Sequence, residues 1–204
     1  MSATIPSIAI IVASTRPARF ADVPLAWVLE RAALRSDLAF DVIDLRDHQL
    51  GYFDRAASPS MAPRAYGSEE ERELGERLDA ADGILVIANE YNHGFTAPLK
   101  NTLDHFYVEF NHKVAGFLGY GNVGGSRAIE QLRLVVAELE MVSARHTVHL
   151  LGQHILPVRT GTPADEAFAP LEPRLELLFD DLAWWGRVLH DARTADALNA
   201  EDAG

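Results

Sequence analysis

The chain's 204 residues, 48% of them hydrophobic, suffice for one domain with a sizeable core and fall short of what two usually need. With no cysteine it has no disulfides, thiolate metal sites or cysteine nucleophile, and a net charge of -12, from 30 acidic against 18 basic residues, argues against nucleic-acid partners, which need a basic surface. No apolar run approaches the roughly 20 residues of a membrane helix, and the amino terminus MSATIPSIAIIVAS lacks the basic flank of a signal peptide, so a cytoplasmic protein with no membrane partner is expected.

Ile5 to Ala13 is apolar and isoleucine-rich, the pattern of a strand buried on both faces. Ser14 to Phe20 breaks that pattern with hydroxyls and two cations. A helix is expected from Asp22, with Pro24 in its first turn and Val23, Ala26, Trp27, Leu29, Ala33 and Leu34 on a broad apolar face. Leu38 to Leu45 alternates partly and suits an edge strand. Arg46 to Gly67, with its prolines, glycines and serines, makes a long connection, usually functional or mobile. Ser68 and Glu71 form a capping-box pattern opening an acidic helix through Leu74, Leu78 and Ala81.

Ile84 to Ala88 is a wholly apolar strand, and the loop Asn89 to Gly94 crowds polar and aromatic groups after it. Thr96 then caps a helix with Pro98 in its first turn and Leu99, Leu103 and Phe106 at helical spacing. Lys113 to Leu118 is the next strand, followed by the Gly-rich turn GYGNVGGSR and a helix faced by Ile129, Leu132, Val136 and Leu139. Arg145 to Leu151 is the last strand. Past Pro157 a turn-rich segment leads to a long amphipathic helix marked by Leu171, Leu175, Leu178, Leu182, Trp185 and Leu189. Trp184 and Val188 lie off that stripe and, with Phe106, Tyr107 and Phe110, offer a second apolar face for dimerisation. Residues 1–194 are expected to form a single domain and 195–204 a frayed tail. The β-α-β-α-β-α-β-α-β order predicts a five-stranded parallel sheet with helices on both faces, gathering the turns after strands one, three and four on one rim.

Each unusual stretch has a chemical reading and a plainer one. Ser14, Thr15, Arg16 and Arg19, opening onto a helix N-terminus, suit a phosphate; they also read as a hydroxyl cap with two solvated arginines. Gly119, Gly121 and Gly124 match G-x-G-x-x-G, but after the fourth strand and without an acid at a following strand end, so the match is a decoy for a dinucleotide fingerprint. These glycines let backbone pass close to a flat ligand or adopt positive φ, or make a simple βα turn. His146, His149 and His154 are read as structural and no metal site is expected, since strand positions three apart face opposite ways. His93 is either part of the site or an ordinary loop imidazole. Glu90 is the one carboxylate in the rim loops, and reads as a solvated or cap-bound acid before a general base. Phosphate grip with aromatic and Gly-rich walls, and little acid–base machinery, suits a cofactor that carries the reaction.

At this point the chain resembles the NAD(P)H-dependent FMN reductases of the flavodoxin-like superfamily. ASTRPAR at 13–19 is similar to their G-S-x-R-x-x-R loop, NEYNHGFTAPLKNTLDHF at 89–106 to their P-E-Y-N segment with its following L-K-N-x-x-D, and GYGNVGGSRAIEQLR at 119–133 to their S-Y-G-x-x-G-G-x-R-A-x-x-Q-L-R segment. The three occur in family order and spacing, and the likeness extends to about residue 155. It implies an α/β flavodoxin-like three-layer sandwich with strand order 2-1-3-4-5. It also implies that Ser14, Arg16 and Arg19 hold the FMN phosphate, with Phe20 beside them. Asn89, Glu90, Tyr91, Asn92 and His93 would lie along the isoalloxazine, with Tyr120, Gly121, Gly124 and Gly125 at its other edge. Ala13, Asn89 and Gly119 stand where the family usually has Gly, Pro and Ser. The implied activity is hydride transfer from NADPH or NADH through FMN, at flavin N5 and with no catalytic side chain, to a small-molecule acceptor such as a quinone, azo compound or free flavin. A homodimer or homotetramer is implied as well. The alternative is a flavodoxin-type electron carrier that does not itself oxidise NAD(P)H, which the strong acidity suits.

Overall fold

The computed structural model describes residues 4–202, with side chains described through residue 196. Its five strands, β1 (Ser7–Val12), β2 (Ala39–Asp44), β3 (Gly83–Asn89), β4 (Val114–Tyr120) and β5 (Val142–Leu150), form one parallel sheet in the order β2-β1-β3-β4-β5. This is the flavodoxin-like arrangement expected. β3 and β4 are buried along their whole length, which their unbroken apolar runs require, whereas β2 alternates between exposed and covered positions as an edge strand does.

Side-chain alternation splits the core in two. Ile8, Ile10, Val12, Leu85 and Ile87 point to one face, where Trp27 and Val28 of α1 (Asp22–Ala32) and Leu178, Phe179 and Leu182 of the long helix α7 (Glu172–Asp202) cover them. Ala9, Ile11, Ile84 and Val86 point to the other, covered by α2 (Glu69–Ala80), α3 (Ala97–His105) and α4 (Ser126–Glu138) through Leu74, Leu99 and Ile129. Two short helices, α5 (Gly152–Arg159) and α6 (Ala164–Phe168), lead into α7. Each large apolar side chain fully buried in this way contributes roughly 1.5–3 kcal/mol, so every face of the sheet is worth covering.

Local signals locate the helix starts. Ser68 accepts from Glu71 N at 3.1 Å, and Thr96 accepts from Leu99 N while donating to Ala13 O at 2.9 Å, tying the start of α3 to the end of β1. Other boundaries differ from expectation. β1 starts at Ser7, because Pro6 has no N–H to offer the ladder. β5 starts at Val142, three residues before the expected Arg145, because Glu140 takes φ 56° and turns the chain straight from α4 into the sheet. The stretch past Pro157 read as turn-rich holds α6, and Pro157 itself lies inside α5.

The expected dimer face does not form as drawn. Phe106 and Phe110 are 1% and 0% exposed, packed among the core side chains under α3, so they have no surface to present. Trp184 and Val188 remain about half exposed. Helix α7 runs to Asp202, and the fraying expected over 195–204 falls mainly on side chains outside the described residues. The long connection 46–67 is tied down: Asn101 Nδ2 donates to Gly51 O at 2.9 Å, His105 Nε2 bonds the same carbonyl at 2.9 Å, and Arg55 meets Glu71 at 2.6 Å. No helix among the described residues is long and apolar enough to cross a membrane.

Candidate functional site

The sheet order turns between β1 and β3, because the chain first steps outward to β2 and then crosses to the other side of β1. The carboxyl ends of strands flanking such a switch leave a crevice for a ligand. A cavity of about 520 Å³ opens there, inside the range usual for small-molecule sites. The loop after β1 contributes Ser14, Arg16, Arg19 and Phe20; the end of β3 and the loop after it contribute Asn89, Glu90 and Tyr91; the end of β4 and the turn after it contribute Tyr120 and Gly121.

The two arginines of the first loop have different fates. Arg19 is 7% exposed and its guanidinium is fully engaged: Nε donates to Asp22 at 2.8 Å, Nη1 to Ser14 O and to Asp44 at 2.7 Å, and Nη2 to the other Asp44 oxygen. Burial pushes the Asp44 carboxyl up, but the hydrogen bonds from Arg19 and Arg46 outweigh it and hold the group at about 2. With four hydrogen bonds donated to protein acceptors and Nη2 also 2.7 Å from Asp22 Oδ1, Arg19 shapes the loop and has no donor left to aim at a phosphate. Arg16 is exposed, makes no ion pair among the described residues, and lies 6.0 Å from the Tyr91 ring centroid on the cavity wall.

Glu90 is also committed. Arg127 at the start of α4 donates to it from Nε at 2.5 Å and from its backbone N–H at 3.1 Å, an arrangement the positive end of the helix dipole favours. Arg127 Nη1 lies 2.7 Å from His93 Nε2, and since a guanidinium only donates, His93 accepts there. Asn92 and His93, at φ 49° and 69°, are the two central residues of a tight turn whose ends, Tyr91 and Gly94, exchange hydrogen bonds of 2.9 and 3.0 Å. Their place is in that turn and away from the cavity wall.

Gly124 and Gly125 do not line the cavity either. They sit beneath it, where the turn after β4 packs back on the sheet: a Cβ on Gly125, at φ 67°, would lie 3.0 Å from Gly119 Cα, and one on Gly119 would lie 2.4 Å from Gly124 O. Close backbone packing therefore explains Gly119 where Ser was the resemblance's expectation. His149 Nδ1 donates to Gly124 O at 2.8 Å, and His146 pairs with Asp181 at 2.8 Å, so both imidazoles have structural partners on opposite sides of the strand.

Tyr120 packs against Phe20 with ring centroids 5.9 Å apart, and burial pushes its phenol up to about 12. Its register partner Asn89 is 3% exposed and neither its Nδ2 nor its Oδ1 has a hydrogen-bond partner in the protein. A buried amide left unpaired costs about 1–3 kcal/mol, so this one is an unusual feature of the cavity.

Sequence reading missed a fourth wall: Gly152, Ile155, Leu156 and Arg159 of α5, with Arg159 5.6 Å from the Phe20 ring centroid. The signal was the apolar spacing of Ile155 and Val158, masked by Pro157 between them. A second cavity, about 630 Å³, lies on the other flank of the first loop, between Thr15, Pro17, the connection at 46–52 and the start of α3. It is larger but has no unpartnered buried polar side chain, so the smaller cavity is the candidate site.

Fold, crevice and lining together define a flavodoxin-like nucleotide-binding protein. Residues 6–154 match the family described as NADPH-dependent FMN reductase. The chain is 33% identical over 136 residues to an NAD(P)H-dependent FMN reductase of Schizosaccharomyces pombe, covering 67% of this chain and 68% of that one. It is 26% identical over 105 residues to an FMN-dependent NADPH-azoreductase of Staphylococcus aureus, covering 50% and 55% respectively. Among solved structures, a flavoenzyme NAD(P)H:(acceptor) oxidoreductase from Paracoccus denitrificans superposes with a TM-score of 0.66 at 19% identity, over 89% of this chain and 97% of that one, a likeness of fold. The chain belongs to the NADPH-dependent FMN reductase family, whose members are oxidoreductases that use FMN and a nicotinamide nucleotide.

Proposed function

We propose that the chain passes electrons from NADPH or NADH through FMN held in the 520 Å³ cavity to a small-molecule acceptor such as a quinone, an azo compound or free flavin. The observation that supports this best is the convergence, in one crevice at the switch point, of an uncommitted cation, three aromatic rings and an unpaired buried amide. The donor set suits the cofactor: Arg16 and Ser14 would take the phosphate, and Phe20, Tyr91 and Tyr120 would border the ring. FMN, when bound, supplies the redox chemistry at N5 and needs no side-chain acid or base.

The chain's own contribution is position and electrostatics. Arg19, locked between Asp22 and Asp44, holds the first loop in shape. The Glu90–Arg127 pair holds the loop after β3 against α4, and the apolar Ile155 and Leu156 narrow the access of water from the side of α5. Residues 1–194 are read as one domain, working in the cytoplasm as a homodimer or homotetramer; the half-exposed Trp184 and Val188 support association, and sedimentation analysis tests it.

The test is to purify the protein, reconstitute it with FMN and follow NADPH and NADH oxidation with a quinone and with an azo dye. Bound flavin and turnover with either acceptor alone are expected. Absence of flavin binding would overturn the reading. Turnover only after adding a partner reductase would instead identify the carrier that the acidity of the chain favours.

A further inference from the structure

We propose that the Asn89 carboxamide binds the polyhydroxyl chain of the flavin nucleotide, between the phosphate grip and the ring. The inference rests on the FMN reading above and adds a specific contact that the P-E-Y-N motif, with Pro at this position, does not contain.

Asn89 is the last residue of β3 and faces the same side of the sheet as Leu85 and Ile87. It reaches the cavity wall while remaining 3% exposed. Two charged side chains of this wall have partners in the protein: Arg19 has Asp44 and Asp22, and Glu90 has Arg127. Among the described residues of the wall, Asn89 alone is a buried side chain with both a donor and an acceptor unmet. A burial cost that the protein does not itself offset points to a ligand that does.

The chemistry of the amide narrows the ligand group. A phosphate only accepts and would satisfy Nδ2 alone; an apolar ring face would satisfy neither atom. A hydroxyl both donates and accepts, and adjacent hydroxyls can meet Oδ1 and Nδ2 together. Position agrees with chemistry. Ser14 and Arg16 lie beyond the end of β1 on one side, and Tyr120, the register partner of Asn89, lies on β4 on the other. A nucleotide with its phosphate at the first and its ring beside the second must carry its linking chain across the end of β3, where Asn89 stands.

The experiment measures dissociation constants of FMN, riboflavin and lumiflavin, which lacks the hydroxyl chain, by fluorescence titration of the apoprotein. It compares wild type with Asn89→Leu, and uses Asn89→Ala should the leucine variant fail to fold. FMN and riboflavin are expected to bind about tenfold more weakly to the variant, with lumiflavin unchanged. Because leucine replaces an unpaired amide with an apolar group of similar size, the apo variant should melt no lower than wild type. An equal loss for lumiflavin would move the contact to the ring, and a loss confined to FMN would move it to the phosphate; either overturns the proposal. So would unchanged affinities, or a lowered melting temperature with no affinity change, which would make Asn89 a structural residue. Failure of the wild type to bind any flavin would refute the FMN reading itself, a result separable from all of these.

Discussion

The two cavities that share the loop 14–19 are built on different principles. The one of about 630 Å³ is walled by the connection at 46–52 and the start of α3, and its polar groups are largely met by protein, with Asn101 and His105 both on Gly51 O. The one of about 520 Å³ is floored by the ends of three central strands and leaves a buried amide unpaired. Size favours the first and unmet polarity the second. The difference teaches that a prepared ligand site shows itself by the costs it carries in the empty protein, which a stable connecting loop has no reason to bear.

The largest expected effect tests whether Arg19 belongs to the frame of both cavities. Asp44→Ala leaves a buried guanidinium short of a partner and should cost about 3 kcal/mol in urea unfolding. The same pair predicts a pH dependence. Because the folded Asp44 carboxyl lies near 2 against an ordinary 3.8, its contribution of about 2 kcal/mol is complete above about pH 4 and is lost as pH falls through about 2. An acid-unfolding curve that Asp44→Asn leaves unshifted would remove Arg19 from this role.

Next in size is Gly119→Ser, which restores the residue common in the family. With Gly124 O only 2.4 Å from the position of its Cβ, the turn after β4 must shift, and about 2 kcal/mol of stability should be lost by thermal melting. A neutral result would show the turn to be looser than its packing indicates.

Arg16→Ala sharpens the contrast between the cavities directly. FMN affinity should fall about tenfold, the worth of a charge-assisted hydrogen bond of about 1.5 kcal/mol, while the melting temperature of the apoprotein holds. Tyr52→Ala, on the wall of the larger cavity, should leave FMN affinity within about twofold of wild type, by the same titration. Reversal of that pair of outcomes would exchange the roles of the two cavities.

Smallest is Arg127→Ala. The Arg127 side chain is about half exposed, and the backbone N–H at 127 still serves Glu90, so stability should change by only about 1 kcal/mol. The sensitive readout is amide hydrogen exchange over 89–95, which should quicken as the loop loses its tie to α4.

Much of this molecule follows from its sequence alone. Unbroken apolar runs at 8–12, 84–88 and 114–118 determine three strands buried on both faces, because no charge in them has to reach water. Partial alternation at 39–44 determines an edge strand, and Ser68 and Thr96 mark helix starts, since capping is settled within four residues. Only tertiary structure separated Arg16 from Arg19, because the carboxylate that claims Arg19 lies 25 residues away on another strand. It alone buried Phe106 and Phe110, added α5 as a wall despite Pro157, and left the Asn89 amide without a partner. The division has one physical cause: periodicity and capping act between neighbours in the chain, whereas desolvation and ion pairing depend on what the packed sheet brings together.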